Sequence, residues 1–263
     1  MIGYYGLHLK DINQLGLNCF DVKENIYNLC SLLIVKDKKF LPKELLCLYE
    51  TLEIPIILYD DIKLLNITIN TELSSYLSLF SKYLQLNIDI EMAEEDELGH
   101  LLRVAMYAKM LASSLNFSKQ EIKKIYIAAL FHDIGKYLIP KEIIGKKDKL
   151  NKVEYGILKM HSLLARFMLN QFFDESIIDM IESHHERFMG NGYPSGKIPS
   201  IGAQIIGIAD SYDAMVSNRV YGKSKSNQEA LEELDLCTRS KEEGGKGVFY
   251  DPKLVKNFIC IEK

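Results

Sequence analysis

From about residue 90 onward the apolar positions recur with a helical period, and before that point they do not. Leu101, Val104, Ala105, Ala108, Leu111, Ala112 and Leu115 fall at i, i+3, i+4 and i+7, the stripe of a core-facing helix. Ile122, Ile125, Tyr126, Ala129 and Leu130 repeat the pattern in a second helix. Asn151 followed by Glu154 has the form of a capping box and predicts a helix through Met160 and Phe167. Further helices are predicted from Asp174 to about His185 and from Ser200 to Ser217. Asp251–Pro252 has the form of an N-cap and first-turn pair opening the last one. Residues 1–88 differ. Two apolar runs, SLLIVKD (31–37) and IPIILYD (54–60), flank a segment with helical spacing through Leu45, Leu48, Tyr49 and Leu52. Strand, helix and strand at this distance predict a parallel pair. The expected fold is therefore mainly α: a helical bundle over 89–263 preceded by a small α/β domain over 1–88.

Composition narrows the class. With 48% hydrophobic residues the chain of 263 can fill a core, so disorder is not expected. A net charge of −4, from 32 basic and 36 acidic residues, leaves no basic field for a long nucleic acid. Five scattered cysteines, never spaced as CxxC, read as reduced thiols of the cytoplasm. The first residues lack a leader pattern and no apolar run reaches the length of a membrane span, so a cytoplasmic protein without membrane attachment is expected.

The chemistry lies in the histidines. Five of six fall between His100 and His185, beside or in step with acids. Asp96 and His100 are four apart and share one helix face. His132–Asp133 closes the apolar helix IKKIYIAALF just before Gly135, read as a helix terminator. His161 follows, then His184–His185 on the buried side of their helix, and finally Asp210 and Asp213 on a face with Ile206 and Ala209. Imidazole and carboxylate together bind borderline-hard divalent metals such as iron, manganese or zinc. The groups outnumber what one four-coordinate zinc can use. Two or more adjacent metals sharing a carboxylate would employ them, the arrangement of many enzymes that cut phosphate esters.

HDIGK (132–136), HHE (184–186), GYP (192–194) and IADSYDAMVSNRVY (208–221) occur in this order, followed by the tail GVFYDPKLVKNF. Over about residues 92–262 the chain resembles the HD-GYP family, a bacterial branch of the HD superfamily of metal-dependent phosphohydrolases. The resemblance implies an HD-type helical bundle that hydrolyses the second messenger cyclic di-GMP to linear pGpG, with the step on to GMP left open. It implies two or three divalent ions, iron or manganese before zinc, held by Asp96, His100, His132, Asp133, His161, His184, His185 and Asp210. Asp96 stands where members with a third metal have glutamate. Asp133 and Lys136 match the catalytic HDxGK residues, Lys136 binding phosphate. Asp213 matches an aspartate near the attacking water, able to orient it or to assist the leaving oxygen. Arg219 matches a residue that grips substrate phosphate.

The sequence departs from the family pattern at four places. Met189 replaces an aspartate of the GYP loop, which is expected to loosen it. Gln204 replaces an arginine, Val220 a proline, and Gly222 a second cation that Lys223 stands next to. The centre is thus expected intact and the substrate rim altered. The alternatives are a catalytically weak or inactive sensor of cyclic dinucleotides, a protein-interaction module, or a phosphohydrolase of another cyclic dinucleotide. Tyr193 reads as shaping the GYP turn or a partner contact, and Glu186 as a group behind a ligating histidine. The first domain reads as a regulatory, docking or homodimerisation module. Its Asp37 ends a strand as in a receiver domain, although the segment is too short for a full one.

Overall fold

In the computed structural model the described residues are 97–146, 148–217 and 224–262, with four short strands and the helical positions Lys43, Cys47, Glu50 and Thr51 before them. The chain divides into two compact units, Met1–Glu91 and Met92–Lys263. In the first, β1 (Ile2–Tyr5), β2 (Cys19–Asp21), β3 (Leu32–Val35) and β4 (Ile56–Leu58) form a parallel sheet in the order β2-β1-β3-β4. Ile2 faces both Cys19 and Leu32 in register, and Leu33 faces Ile56. Strands β1 and β2 lie in segments whose residues showed no strand pattern. Asp37 and the apolar positions Leu45, Leu48, Tyr49 and Leu52 lie outside the described residues.

The second unit is helical, with no strand among its described residues. It contains α1 (Glu97–Ser114), α2 (Lys119–Phe131), a 3₁₀ turn (Ile134–Leu138), α3 (Lys141–Ile144), α4 (Lys152–Lys159), α5 (His161–Leu169), α6 (Glu175–Ser183), α7 (Ile201–Val216), α8 (Asn227–Leu236) and α9 (Pro252–Glu262). Local chemistry sets the starts. Ser118, Asn151 and Ser226 each close a reciprocal capping box with the glutamate three residues on. Asp174 and Ser200 cap α6 and α7, and Asp251 accepts from the Lys253 amide at 2.7 Å.

Helices α1, α2 and α7 pack against one another and α6 packs on α2 and α7, with α5 laid across α6 and the 3₁₀ turn. Small side chains bring α1 close to its neighbours: Ala105, Ala108 and Ala112 are fully buried beside Leu101, Val104 and Leu111. Helix α7, which packs on α1, buries Ile205, Ile206, Ile208, Ala209 and Tyr212, also without exposure.

Two expectations are corrected. The helix predicted through Met160 and Phe167 is broken at Met160, whose amide bonds the Ile157 carbonyl three residues back, so that His161 begins a new helix. Both sides of the break carry helical spacing, so periodicity could not reveal it. Gly135 does not terminate α2 through a left-handed backbone. It permits contact: a Cβ there would stand 1.7 Å from the His161 carbonyl oxygen.

Helix α9 is held by one aromatic cluster. Phe258 is fully buried, with its ring edge-on to Tyr212 at 5.0 Å and to Tyr107 at 6.1 Å. Phe258→Ala is expected to lower the unfolding free energy by about 3–5 kcal/mol, read as a fall in the urea midpoint at constant slope. A loss below about 1 kcal/mol would mean that the site collapses around the deletion instead of leaving a cavity.

Candidate metal centre

Three helix ends supply the histidines. His132 follows the last residue of α2, His161 begins α5 directly after α4, and His184 follows the last residue of α6. In each case Nδ1 bonds the carbonyl three residues earlier: Ala129 at 2.7 Å, Leu158 at 2.8 Å and Ile181 at 2.6 Å. Carbonyls in a last helical turn have no amide partner within the helix. A carbonyl only accepts, so each Nδ1 carries the proton, and in the neutral ring Nε2 is left as a lone pair. At His132 and His184 these ends also carry the negative poles of their helix dipoles, whereas His161 opens α5, whose positive pole opposes that of α4.

The lone pairs converge on Asp133. Its Oδ1 lies 3.5 Å from His161 Nε2, while its Oδ2 lies 3.2 Å from His132 Nε2 and 3.8 Å from His100 Nε2. One carboxylate thus belongs to two ligand groups. The first holds Asp133, His161, His184 and His185, the second His100, His132 and Asp133, and within each the donor atoms lie within 4.8 Å of one another. Asp210 stands beside the second, its Oδ1 3.5 Å from His100 Nε2 and 3.9 Å from His132 Nε2.

Several observations fit this set to divalent cations. The Nε2 atoms of His161 and His184 face each other at 3.5 Å with both Nδ1 protons committed elsewhere. Two nitrogens about 2.1 Å from one tetrahedral ion are separated by about 3.4 Å. The Nε2 atoms of His100 and His132 are buried and without a hydrogen-bond partner. Orphaned buried nitrogens cost stability unless something binds them.

Electrostatics agrees. Burial, with the neighbouring imidazoles, pushes His184 down to about 3, and it lowers His185 and His161 as well. Burial also opposes charge on His100, but Asp133, Asp213 and Asp210 outweigh it and raise the ring to about 9. His132 is raised in the same way by Asp133. Burial would push the Asp133 carboxyl up, yet Lys136 and His132 hold it well below its usual range. The second group therefore attracts positive charge and the first keeps neutral donors.

The rim is built by the GYP loop. Tyr193 stacks on His185 with ring centroids 4.7 Å apart, and its amide bonds the His185 carbonyl at 3.3 Å. Gly192 allows the fit, since a Cβ there would stand 2.4 Å from the His185 carbonyl oxygen. Lys159 holds its ammonium over the Tyr155 and Tyr193 rings. Lys136 donates to Asp133 Oδ2 at 2.6 Å.

Most predicted ligands meet here: His100, His132, Asp133, His161, His184, His185 and Asp210. Asp96, Arg219 and Lys223 lie outside the described residues, as do Val220 and Gly222. Asp213 is corrected. It is fully buried, with Oδ2 on His100 Nδ1 at 2.8 Å and Oδ1 on Arg103 Nε at 2.6 Å. It backs a histidine rather than facing water or a leaving oxygen. Glu186 is corrected as well. Its Oε1 accepts from the Ser195 and Gly196 amides at 2.6 and 2.8 Å and from the Ser195 hydroxyl at 2.9 Å. The loop is thereby closed without an aspartate at 189, where Met189 is exposed. Gln204 is buried and donates to the Pro199 carbonyl at 3.1 Å. Arg103 was missed, although it stands one helical turn from His100.

The HD-domain family pattern matches residues 69–243. A cyclic di-GMP phosphodiesterase of Thermotoga maritima is 32% identical over 185 residues, which are 68% of this chain and 48% of that protein. A 3'3'-cGAMP-specific phosphodiesterase of Vibrio cholerae is 36% identical over 136 residues, 50% of this chain and 32% of that one. The chain thus spans about half or less of the length of these curated relatives. In fold it is similar to Bd1817, an HDG"Y"P protein of Bdellovibrio bacteriovorus. The TM-score is 0.52 at 18% identity, covering 73% of this chain and 64% of that one. Among the described residues no helix is long and apolar enough to cross a membrane.

The histidine shifts give the chelated protein a stability maximum. For His184 the fold favours the neutral ring, so its contribution is intact above the ordinary 6.5 and drains away as pH falls toward about 3. For His100 the fold favours the charged ring, so its contribution is intact below 6.5 and is lost as pH rises through about 9. His161 and His185 act with His184, and His132 with His100. Urea unfolding of EDTA-treated protein is expected to give greatest stability near pH 6.5, falling on both sides. A profile that climbs steadily from acid to alkali would contradict this balance.

Proposed function

The chain belongs to the HD-domain family, in its HD-GYP branch, and from that premise we propose that it is a metal-dependent phosphodiesterase opening cyclic di-GMP to linear pGpG. The observation that carries the reading is Asp133, one buried carboxylate serving two groups of imidazoles. A phosphodiester resists attack because its anionic oxygens repel hydroxide. Divalent ions held as a pair would neutralise those oxygens and lower the pKa of the attacking water. His161, His184 and His185 would hold one ion and His100, His132 and Asp210 the other, with Asp133 between. A third ion, where one is bound, would take Asp96.

The remaining roles fall to cations at the rim. Lys136, at the edge of the shared carboxylate, supplies positive charge to the phosphate that reacts. Arg219 grips phosphate through its planar fork, and Lys223 takes the place of the cation absent at Gly222. Helix termini and fixed carboxylates need no reorganisation when charge develops, which favours this kind of catalysis. Residues 1–88 act as a regulatory or docking domain in the cytoplasm. The same domain, or the GYP loop, receives a protein partner or a second copy of the chain.

A second reading has its own support. Relatives named as specific for 3'3'-cGAMP reach 36% identity, and Gly222 and Val220 alter the rim where substrate would be read. A related cyclic dinucleotide is therefore the alternative substrate, and a non-hydrolysing sensor the alternative class.

Protein stripped with a chelator and reloaded with manganese is expected to hydrolyse cyclic di-GMP faster than 3'3'-cGAMP. Asp133→Ala should reduce kcat by about 100-fold or more, as loss of several kcal/mol of charge stabilisation requires. The reverse preference would move the assignment to the mixed dinucleotide. Tight binding of either ligand with no product under manganese or iron would make the protein a sensor.

A further inference from the structure

Arg103 stands one turn beyond His100 on α1 and reaches across to α7. Its Nε donates to Asp213 Oδ1 at 2.6 Å, and its Nη2 donates to Asp213 Oδ2 at 3.2 Å and to the Ser217 hydroxyl at 3.0 Å. Ser217 in turn donates to Asp213 Oδ2 at 3.0 Å. The same carboxylate accepts His100 Nδ1 at 2.8 Å. A fully buried aspartate is thus held by three side chains from two helices, and one of the three is a ligand candidate.

His100 lacks the device used elsewhere in the centre. His132, His161 and His184 are fixed by carbonyls of their own chain three residues back. His100 lies inside α1, where backbone carbonyls are used by the helix, so its Nδ1 proton must go to a distant side chain. A carboxylate free to rotate would fix neither the ring plane nor the direction of Nε2. The planar guanidinium removes that freedom, because its fork engages both oxygens at once. Ser217 is the C-cap of α7, so the network also ends where the segment bearing Arg219 begins.

We propose that Arg103 is a positioning residue: by clamping Asp213 it aims His100 at the second ligand group, and through Ser217 it ties that group to the end of α7. The inference rests on the metal-dependent reading above and concerns only one of its two groups. Removing a partner behind a ligating histidine typically weakens metal affinity 10- to 100-fold. That loss should be selective, since His161, His184 and His185 make no bond to this network among those described.

Manganese is the probe. Full-length wild type, Arg103→Gln and Arg103→Lys would be stripped, titrated with Mn²⁺, and compared by bound ions per chain and by electron paramagnetic resonance. Wild type should bind two ions and give the signal of a coupled pair. Arg103→Gln should keep one tight ion, bind the second about 10- to 100-fold more weakly, and show an uncoupled signal at low loading. Arg103→Lys should fall between, because a point charge cannot hold both oxygens. The thermal midpoint of each stripped variant reports folding; if Arg103→Gln does not fold, Arg103→Lys and Ser217→Ala decide by the same readings. Two tight, coupled ions in the folded variants would overturn the proposal, as would equal weakening of both ions. Wild type that takes up no manganese would instead overturn the metal-dependent reading itself.

Discussion

The centre depends on where the Nδ1 protons of buried imidazoles go. A neutral imidazole has one donor and one acceptor, and in a dry interior both must be used. At His132, His161 and His184 the donor is spent on a carbonyl that a helix end leaves unpaired. One short bond thus satisfies an orphan carbonyl, fixes the tautomer and turns Nε2 inward. Doing this at three helix ends turns a cluster of lone pairs toward one point. Asp133 is an acceptor itself. Positive charge is what this interior attracts, whether as protons on His100 and His132 or as bound cations.

That constraint explains the packing around it. Acceptors must stand within a few ångströms, so the helix ends must meet closely. Gly135 lets the 3₁₀ turn after His132–Asp133 sit against the His161 backbone, where any side chain would collide. The break at Met160 brings a helix end to His161 at all; an unbroken helix would have used the Leu158 carbonyl internally. His184 and His185 lie past the last turn of α6, where neighbouring residues escape the divergence of a regular helix, and their ring centroids come within 4.0 Å. The alanine-lined face of α1 then brings His100 to the same point from the opposite side.

How much of this the residues disclosed depends on the range of the interaction. Helix positions were legible from apolar spacing and from capping pairs such as Asn151–Glu154, because both are local. The meeting of these imidazoles and carboxylates was legible because such groups on apolar stripes have few other uses. The roles of Asp213 and Glu186 were not, since each is defined by partners far away in the chain or across a loop: Arg103 lies 110 residues before Asp213. Arg103 left a faint signal, a cation one turn from a ligand on the same helix. The break at Met160 left none, because torsions on both sides remain helical.

The rim obeys a different rule from the interior. Inside, His132, His161 and His184 are fixed by short bonds to helix ends and His100 by Asp213, and a departure there would leave a buried group unpaired. Around the GYP turn, closure needs only one acceptor for the Ser195 and Gly196 amides, and nothing dictates which residue supplies it. Glu186 does so from beside His185, which frees position 189 to be an exposed methionine. The loop is therefore anchored at the ligand pair itself, with Tyr193 stacked on His185 and Gly192 against its carbonyl. With Met189 in place of an aspartate the loop is still closed, through Glu186. Change at the rim tells of what is recognised there, while the interior keeps its demand for positive charge.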